Sequence, residues 1–108
     1  MERARDLHAI AAGIDQPWQP VDVVTVNDAV IRMAKIHGEF AWHRHDEDEL
    51  FLCWQGRFIL EQVGARDVML EQGQLYVVPR GVEHRPVASE PALILMIERP
   101  ETQQYGNR

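Results

Sequence analysis

From residue 21 onward, the sequence is a series of short apolar segments separated by residues that favour turns. The segments have the length of single β-strands and cover residues 21–26, 29–36, 50–54, 58–60, 68–70, 75–78 and 92–97. Turn-forming residues fill the breaks, as at Asn27-Asp28, Gly38, 46–48, Gly56, Gly64, Gly73, Pro79-Arg80-Gly81 and Ser89-Glu90-Pro91. Many short strands with regularly spaced turns are typical of an antiparallel sandwich or barrel, so the pattern predicts an all-β fold.

The two ends of the chain differ from this pattern. Before the strands, apolar residues recur at helical spacing, namely Leu7, Ile10, Ala11 and Ile14. Residues that end a helix follow or lie among them, namely Gly13, Pro17 and Pro20. After the strands, the polar residues from 100 onward either fray or fold back along the barrel. We therefore expect a helix and lead-in over residues 1–20, a barrel over 21–100 and a tail over 101–108.

The composition excludes several classes of protein. With 108 residues, 45% of them hydrophobic and 26% charged, the chain has the size and balance of one globular domain. Its longest apolar runs are far shorter than the roughly 20 residues that span a bilayer, and no signal peptide is recognisable at the N-terminus. A net charge of -6 without a Lys/Arg cluster argues against a nucleic-acid partner. We expect a cytoplasmic protein that binds neither membrane nor nucleic acid.

Two histidines and a glutamate lie close together in the middle of the chain. His43 and His45 are two residues apart, so on an extended strand both side chains leave the same face, roughly 7 Å apart at the backbone. Glu49 follows across an acidic stretch that favours a bend, and its carboxylate can reach back to the same point. Glu47 has the same strand parity and is an alternative. Taken alone, this pattern also occurs in solvated strands that bind no metal.

Two blocks of residues carry a more specific pattern. The residues that define the first block are Gly38, His43, His45, Glu49 and Gly56. Those that define the second block are Gly73, Pro79, Gly81 and His84. The blocks resemble the two signatures of the cupin superfamily. The chain resembles in particular the small single-domain cupins of type 2, which are often described as similar to the barrel of mannose-6-phosphate isomerase.

This resemblance implies both a fold and a metal site. The implied fold is a double-stranded β-helix, or jelly-roll barrel, here with a short N-terminal helix. The implied ligands of one divalent metal ion are His43, His45, Glu49 and His84. Three neutral imidazoles and one carboxylate suit Fe, Mn, Ni, Co, Cu or Zn better than Mg or Ca. Four protein ligands leave two positions of an octahedral ion open, as in a catalytic site.

A metal site of this kind leaves two functions open. The first is a metal-dependent enzyme, an oxygenase or an isomerase, that acts on a small polar molecule. Its cavity has as candidate lining residues Phe51, Cys53, Trp54, Tyr76 and Met96. The alternative is a non-catalytic module that binds or senses a metal ion or a small ligand. In either case the apolar strands at 21–26 and 29–36 predict a homodimer, because association covers the unpaired backbone groups of an edge strand.

Overall fold

A computed structural model describes residues 3–106, which form one helix and seven strands. The elements are, in chain order, α1 (Leu7–Ala12), β1 (Val21–Val26), β2 (Ala29–Glu39), β3 (Glu49–Gln55), β4 (Arg57–Gln62), β5 (Val68–Glu71), β6 (Leu75–Val78) and β7 (His84–Glu98). No helix in this part of the chain is long and apolar enough to cross a membrane. The all-β architecture with one short N-terminal helix is the one that the sequence predicts.

The strands pair in an antiparallel sheet whose order is β1-β2-β7-β3-β6, and β4 and β5 extend from the first half of β7. Residues 84–87 of β7 pair with β4, residues 93–97 pair with β3, and β2 runs beside both halves. The predicted barrel is not closed by hydrogen bonds. Within residues 3–106 the hydrogen-bonded ladder stays open, because β1, β5 and β6 each pair on one side only.

A turn predicted at Ser89-Glu90-Pro91 is also wrong, because β7 continues through these residues. Ala88 pairs with Gly38, and Ala92 pairs with Ile36. Between these two pairs, β7 has three residues (89–91), whereas β2 has only His37. The extra residues form a bulge, where an exposed proline without an N–H group is tolerated. The bulge lies where β7 changes its partner from β4 to β3. Turn-forming residues here bend a strand instead of reversing the chain.

Apolar side chains pack on both faces of the sheet. On β2, Met33 packs on the side that α1 covers, whereas Ala34 and Ile36 face the interior, as strand alternation requires. The interior cluster joins side chains from six strands: Ala34, Ile36, Phe51, Cys53, Phe58, Leu60, Leu70, Val78, Ala88, Ala92 and Ile94. This packing fixes the strands next to the predicted metal site.

The C-terminal residues 100–106 fold back across the sheet. The guanidinium of Arg32 donates to the backbone carbonyl of Thr102 at 3.0 Å. Further along, the ring of Tyr105 stacks on that of Phe40 with a centroid distance of 4.9 Å. The sequence analysis left open whether the tail frays or folds back, and residues 100–106 fold back. Residues 107–108 lie outside the described part of the chain.

Candidate metal centre

The backbone places His43 and His84 opposite each other. The N–H of His43 donates to the carbonyl of His84 at 3.0 Å, and the N–H of His84 donates to the carbonyl of His43 at 2.8 Å. Residues that exchange both hydrogen bonds in an antiparallel pair direct their side chains to the same face. The two rings therefore lie side by side, with centroids 4.4 Å apart.

His45 and Glu49 reach the same point from the following stretch of chain. His45 lies two residues beyond His43 and keeps the same face, and its carbonyl accepts a hydrogen bond from the N–H of Gly81 at 2.9 Å. Glu49 is the first residue of β3. Its Oε1 atom lies 3.2 Å from Nε2 of His45 and 3.4 Å from Nε2 of His84. The carboxylate thus reaches back across the acidic bend.

The four residues predicted as metal ligands form one buried cluster. The donor atoms of His43, His45, Glu49 and His84 all lie within 4.8 Å of one another. Atoms bound to one ion at about 2.1 Å are at most about 4.2 Å apart, so small side-chain movements would let all four contact one ion. The cluster could therefore hold a metal ion. Glu47, the alternative considered from the sequence, is not part of it.

Hydrogen bonds on the far side of two rings set the positions of their protons. Nδ1 of His43 lies 2.8 Å from the carbonyl of Ala41, and Nδ1 of His84 lies 2.8 Å from the carbonyl of Val82. A carbonyl only accepts hydrogen bonds, so in each ring Nδ1 carries a proton, and Nε2 is the nitrogen that faces the cluster and would bind a metal ion. Backbone carbonyls commonly support histidine ligands of metals in this way.

His45 provides an independent test of whether a metal ion fits. Both of its ring nitrogens are buried and have no hydrogen-bond partner among residues 3–106. Nε2 is close to Glu49 in distance, but the two groups are not aligned as a hydrogen bond. Because a buried nitrogen without a partner is costly, an ion bound to Nε2 would stabilise this ring. The donor set therefore fits a transition metal ion.

Burial and neighbouring groups set the charge of the cluster. Burial, together with the adjacent His84 and His45, lowers the pKa of His43 to about 4, so this ring is neutral at pH 7. Burial alone would raise the pKa of Glu49. Its interactions with His45, His84 and Glu98 outweigh burial and hold that pKa far below its usual range. A neutral imidazole and an anionic carboxylate are the forms that bind a divalent ion.

Glu98, the last residue of β7, is a buried polar group of the site that the sequence analysis did not single out. Its Oε1 accepts a hydrogen bond from Nη1 of Arg32 at 2.9 Å. Burial and the adjacent Glu49 raise the pKa of Glu98 to about 9, so at pH 7 Glu98 is a neutral carboxyl group beside the anionic Glu49. Strand alternation could have revealed it, because Glu98 follows Ile94 and Met96 on the inward face of β7.

A cavity of about 290 Å³ lies beside the cluster, and His43 and Glu49 form part of its wall. The wall is largely apolar and includes Ala34, Ile36, Phe40, Phe51, Ile94 and Met96. Polar residues also line it, among them Arg32, Glu98 and Thr102. A small molecule in this cavity would contact both an apolar surface and the candidate ligands.

Two of the five residues predicted to line the cavity, Phe51 and Met96, are in its wall. Cys53 belongs to the packed interior cluster, and Tyr76 packs against that cluster. Trp54 points to the opposite side of β3 and packs against the cluster that α1 covers. Alternation explains this difference, because the residue after an inward-facing one faces outward.

Comparisons with known proteins agree with this architecture. A family model described as a cupin domain matches residues 29–98. The YdbB protein of Bacillus subtilis (strain 168) is 27% identical over 104 residues, which cover 95% of this chain and 92% of that protein. A cupin-2 domain containing protein from Shewanella frigidimarina is 34% identical, with a TM-score of 0.83 over 87% of this chain and 92% of that chain.

Hydroquinone 1,2-dioxygenase from Sphingomonas sp. TTNP3, solved with 4-hydroxybenzoate bound, shares the fold. It is 19% identical, with a TM-score of 0.80 over 94% of this chain and 75% of that chain. The segment that matches the family model holds β2 to β7 and all four candidate ligands. Since that segment is more than half of the chain, the protein belongs to the cupin-domain family.

Proposed function

We propose that this cupin is a metal-dependent oxygenase that acts on a small hydroxylated ring molecule. Its single iron ion would be bound by His43, His45, Glu49 and His84. The observation that carries the proposal is that a buried cluster of three histidines and one carboxylate lies against a largely apolar cavity. A protein that only stores or senses a metal has no evident use for such a cavity beside the ion.

The donor set favours a transition metal ion. Imidazoles with one carboxylate suit Fe, Mn, Ni, Co, Cu or Zn, and four donors are fewer than the six of an octahedral ion. When bound, iron would supply Lewis acidity and electron transfer to dioxygen. Among these metals we favour iron because the hydroquinone 1,2-dioxygenase PnpCD, which has this fold at 12% identity, was solved in complex with Fe3+.

The cavity limits the size of the substrate. Its volume of about 290 Å³ is roughly twice that of a cavity of about 150 Å³ that holds benzene in another protein. One substituted ring therefore fits, and side chains such as Phe51 and Met96 would pack against it. Hydroquinone 1,2-dioxygenases of this fold were solved with ligands of this size, 4-hydroxybenzoate and 4-nitrophenol.

The chain itself would contribute binding, orientation and the exclusion of water. The carbonyls of Ala41 and Val82 hold the Nδ1 protons of His43 and His84, so Nε2 of each ring stays available as a donor. Glu49 would neutralise part of the charge of the ion. The apolar wall would keep water away from the bound ring and strengthen electrostatic interactions inside the cavity.

Oxygen uptake tests the proposal. Protein purified without a chelator is loaded with Fe2+ under anaerobic conditions and mixed with hydroquinone, and an oxygen electrode follows consumption. We expect one O2 per hydroquinone, because a dioxygenase transfers both oxygen atoms to the ring-opened product. His84→Ala should lose this activity, and Glu47→Gln is the matched control that should keep it. If iron-loaded protein consumes no more oxygen than zinc-loaded protein, the non-catalytic binding module becomes the better account.

We also propose that the protein is a homodimer formed through β1. This strand is at the edge of the sheet, and its Val21, Val24 and Val26 are exposed. Light scattering should give about twice the 12.5 kDa of one chain, and Val26→Lys should lower that mass to one chain. A wild-type mass of one chain at micromolar concentration would rule out the dimer.

The expected cytoplasmic location is likewise a proposal, which cell fractionation can test.

A further inference from the structure

Two buried polar atoms in the cavity wall have no partner. Oε2 of Glu98 and Oγ1 of Thr102 make no hydrogen bond within residues 3–106. Both residues line the cavity, and they are only 7% and 6% exposed. A buried polar atom without a hydrogen bond is costly, so most such atoms in proteins have a partner. A group that enters the cavity can provide it.

Arg32 holds these two residues next to each other. Its Nη1 donates to Oε1 of Glu98 at 2.9 Å and to the backbone carbonyl of Thr102 at 3.0 Å. Its Nη2 donates to the carbonyl of Pro100 at 2.8 Å, and its Nε donates to Asp22 at 2.9 Å. The guanidinium is thus engaged in positioning β1, β7 and the tail. The polar groups that remain available to a ligand are Oε2 of Glu98 and Oγ1 of Thr102.

We propose that Glu98 and Thr102 form a recognition site for a hydroxyl group of the ligand. This inference rests on the proposed function, in that the ligand is the hydroxylated ring of that proposal. One oxygen of the ring would lie at the candidate metal cluster. A second hydroxyl would then contact Oε2 of Glu98 and Oγ1 of Thr102.

A hydroxyl group is the ligand chemistry that suits this site. It both donates and accepts hydrogen bonds, so it pairs with a carboxyl group in either protonation state and with a threonine hydroxyl. An anionic group would place a second negative charge beside Glu49 and Glu98 in a buried site, which is unfavourable. An apolar group would leave both oxygens without a partner.

Calorimetric titration with hydroquinone and phenol tests the inference. The two probes share the ring and one hydroxyl, and they differ only in the second hydroxyl. With the zinc-loaded protein under anaerobic conditions, we expect hydroquinone to bind about tenfold more tightly than phenol. Equal affinities would mean that the two oxygens do not recognise a ligand hydroxyl. The absence of any hydroquinone binding would overturn the inference as well.

Variants of Thr102 test whether its hydroxyl causes the preference for hydroquinone over phenol. Thr102→Val removes the hydroxyl at nearly constant volume and should reduce the preference to below about threefold. Thr102→Ser keeps a hydroxyl and should keep the preference. Thr25→Val makes the same chemical change on the exposed face of β1 and is the matched control. The zinc content of each variant is measured to check that the metal cluster is intact.

The outcomes separate this inference from the proposed function. Zinc does no redox chemistry, so the hydroquinone preference does not depend on oxygen uptake. If the preference is found but iron-loaded protein takes up no oxygen, the proposed function fails and the recognition site stands. If oxygen uptake is found but Thr102→Val binds zinc and keeps the tenfold preference, the recognition site is refuted. Should Thr102→Val not fold, the wild-type comparison of the two probes still decides.

Discussion

Replacing Arg32 with methionine should destabilise the protein far more than the same replacement of Arg85. Each arginine contacts two acidic side chains, but these partners differ in burial. The side chain of Glu98, which pairs with Arg32, is only 4% exposed. The partners of Arg85 are Glu39 and Glu61, whose side chains are 64% and 28% exposed. Water can replace Arg85 at its partners, whereas it has little access to Glu98.

The expected loss follows from what Arg32→Met leaves behind. Glu98 already holds a proton at pH 7, because burial and the adjacent Glu49 raise its pKa. Arg32→Met therefore leaves a neutral buried carboxyl group without its hydrogen-bond donor, and a buried polar group left in this way typically costs about 1–3 kcal/mol. The tail carbonyls that Arg32 releases can turn toward water. We therefore expect a loss of about 2 kcal/mol, which for a domain of this size is roughly 8 °C in Tm.

Scanning calorimetry of metal-free protein at pH 7 measures this difference without a contribution from ion binding. Methionine retains much of the packing of the arginine stem, so the lost hydrogen bonds dominate the result. Arg85→Met should lower the Tm by much less. The reasoning is refuted if Arg32→Met melts within about 3 °C of the wild type, or if Arg85→Met is equally destabilising.

The candidate ligands, the carboxyl pair and the tail each provide a further test. His84→Ala should lose most of its metal by elemental analysis and keep a native circular dichroism spectrum, because only a ligand is removed. Glu49→Gln should weaken metal binding in a competition titration, since it removes the only anionic donor of the four candidate ligands. Glu47→Gln should bind metal like the wild type. If the two variants weaken metal binding equally, the four-ligand assignment is wrong. In metal-free protein, the free energy of unfolding should fall as pH rises above about 5, because Glu98 in the folded state keeps a proton that the unfolded carboxyl has released. Glu98→Gln should flatten this slope in urea titrations. Gly106→Ala should detach the tail and speed its proteolysis, because the glycine has a φ of 84° and an added Cβ would clash with the neighbouring backbone.

Local patterns in the sequence were sufficient to predict most strands. β1 and β6 have the predicted bounds, and β3 extends the predicted segment 50–54 by one residue at each end. Apolar alternation and turn residues act over a few positions, so they can be recognised without the fold. The four candidate ligands were found for a related reason, because their spacing lies within two short blocks.

Features that depend on distant contacts could not be predicted in this way. Arg32 and Glu98 are 66 positions apart in the sequence, and no local pattern connects them. The course of the tail depends on Arg32 and on the stacking of Tyr105 on Phe40. The bulge in β7 contains residues that favour a turn in isolation, and the pairing of the flanking Ala88 and Ala92 with β2 keeps the chain extended through them.

One strand, β7, carries His84 at its first residue and Glu98 at its last, so it connects the candidate metal cluster with the proposed hydroxyl site. Adding or removing one residue within a paired half of this strand would turn the following side chains to the opposite face. Residues 89–91 are the exception, because they have no partner on β2 and can accommodate a change in length. Homologous chains should therefore differ in length at the bulge and keep constant spacing from His84 to Ala88 and from Ala92 to Glu98.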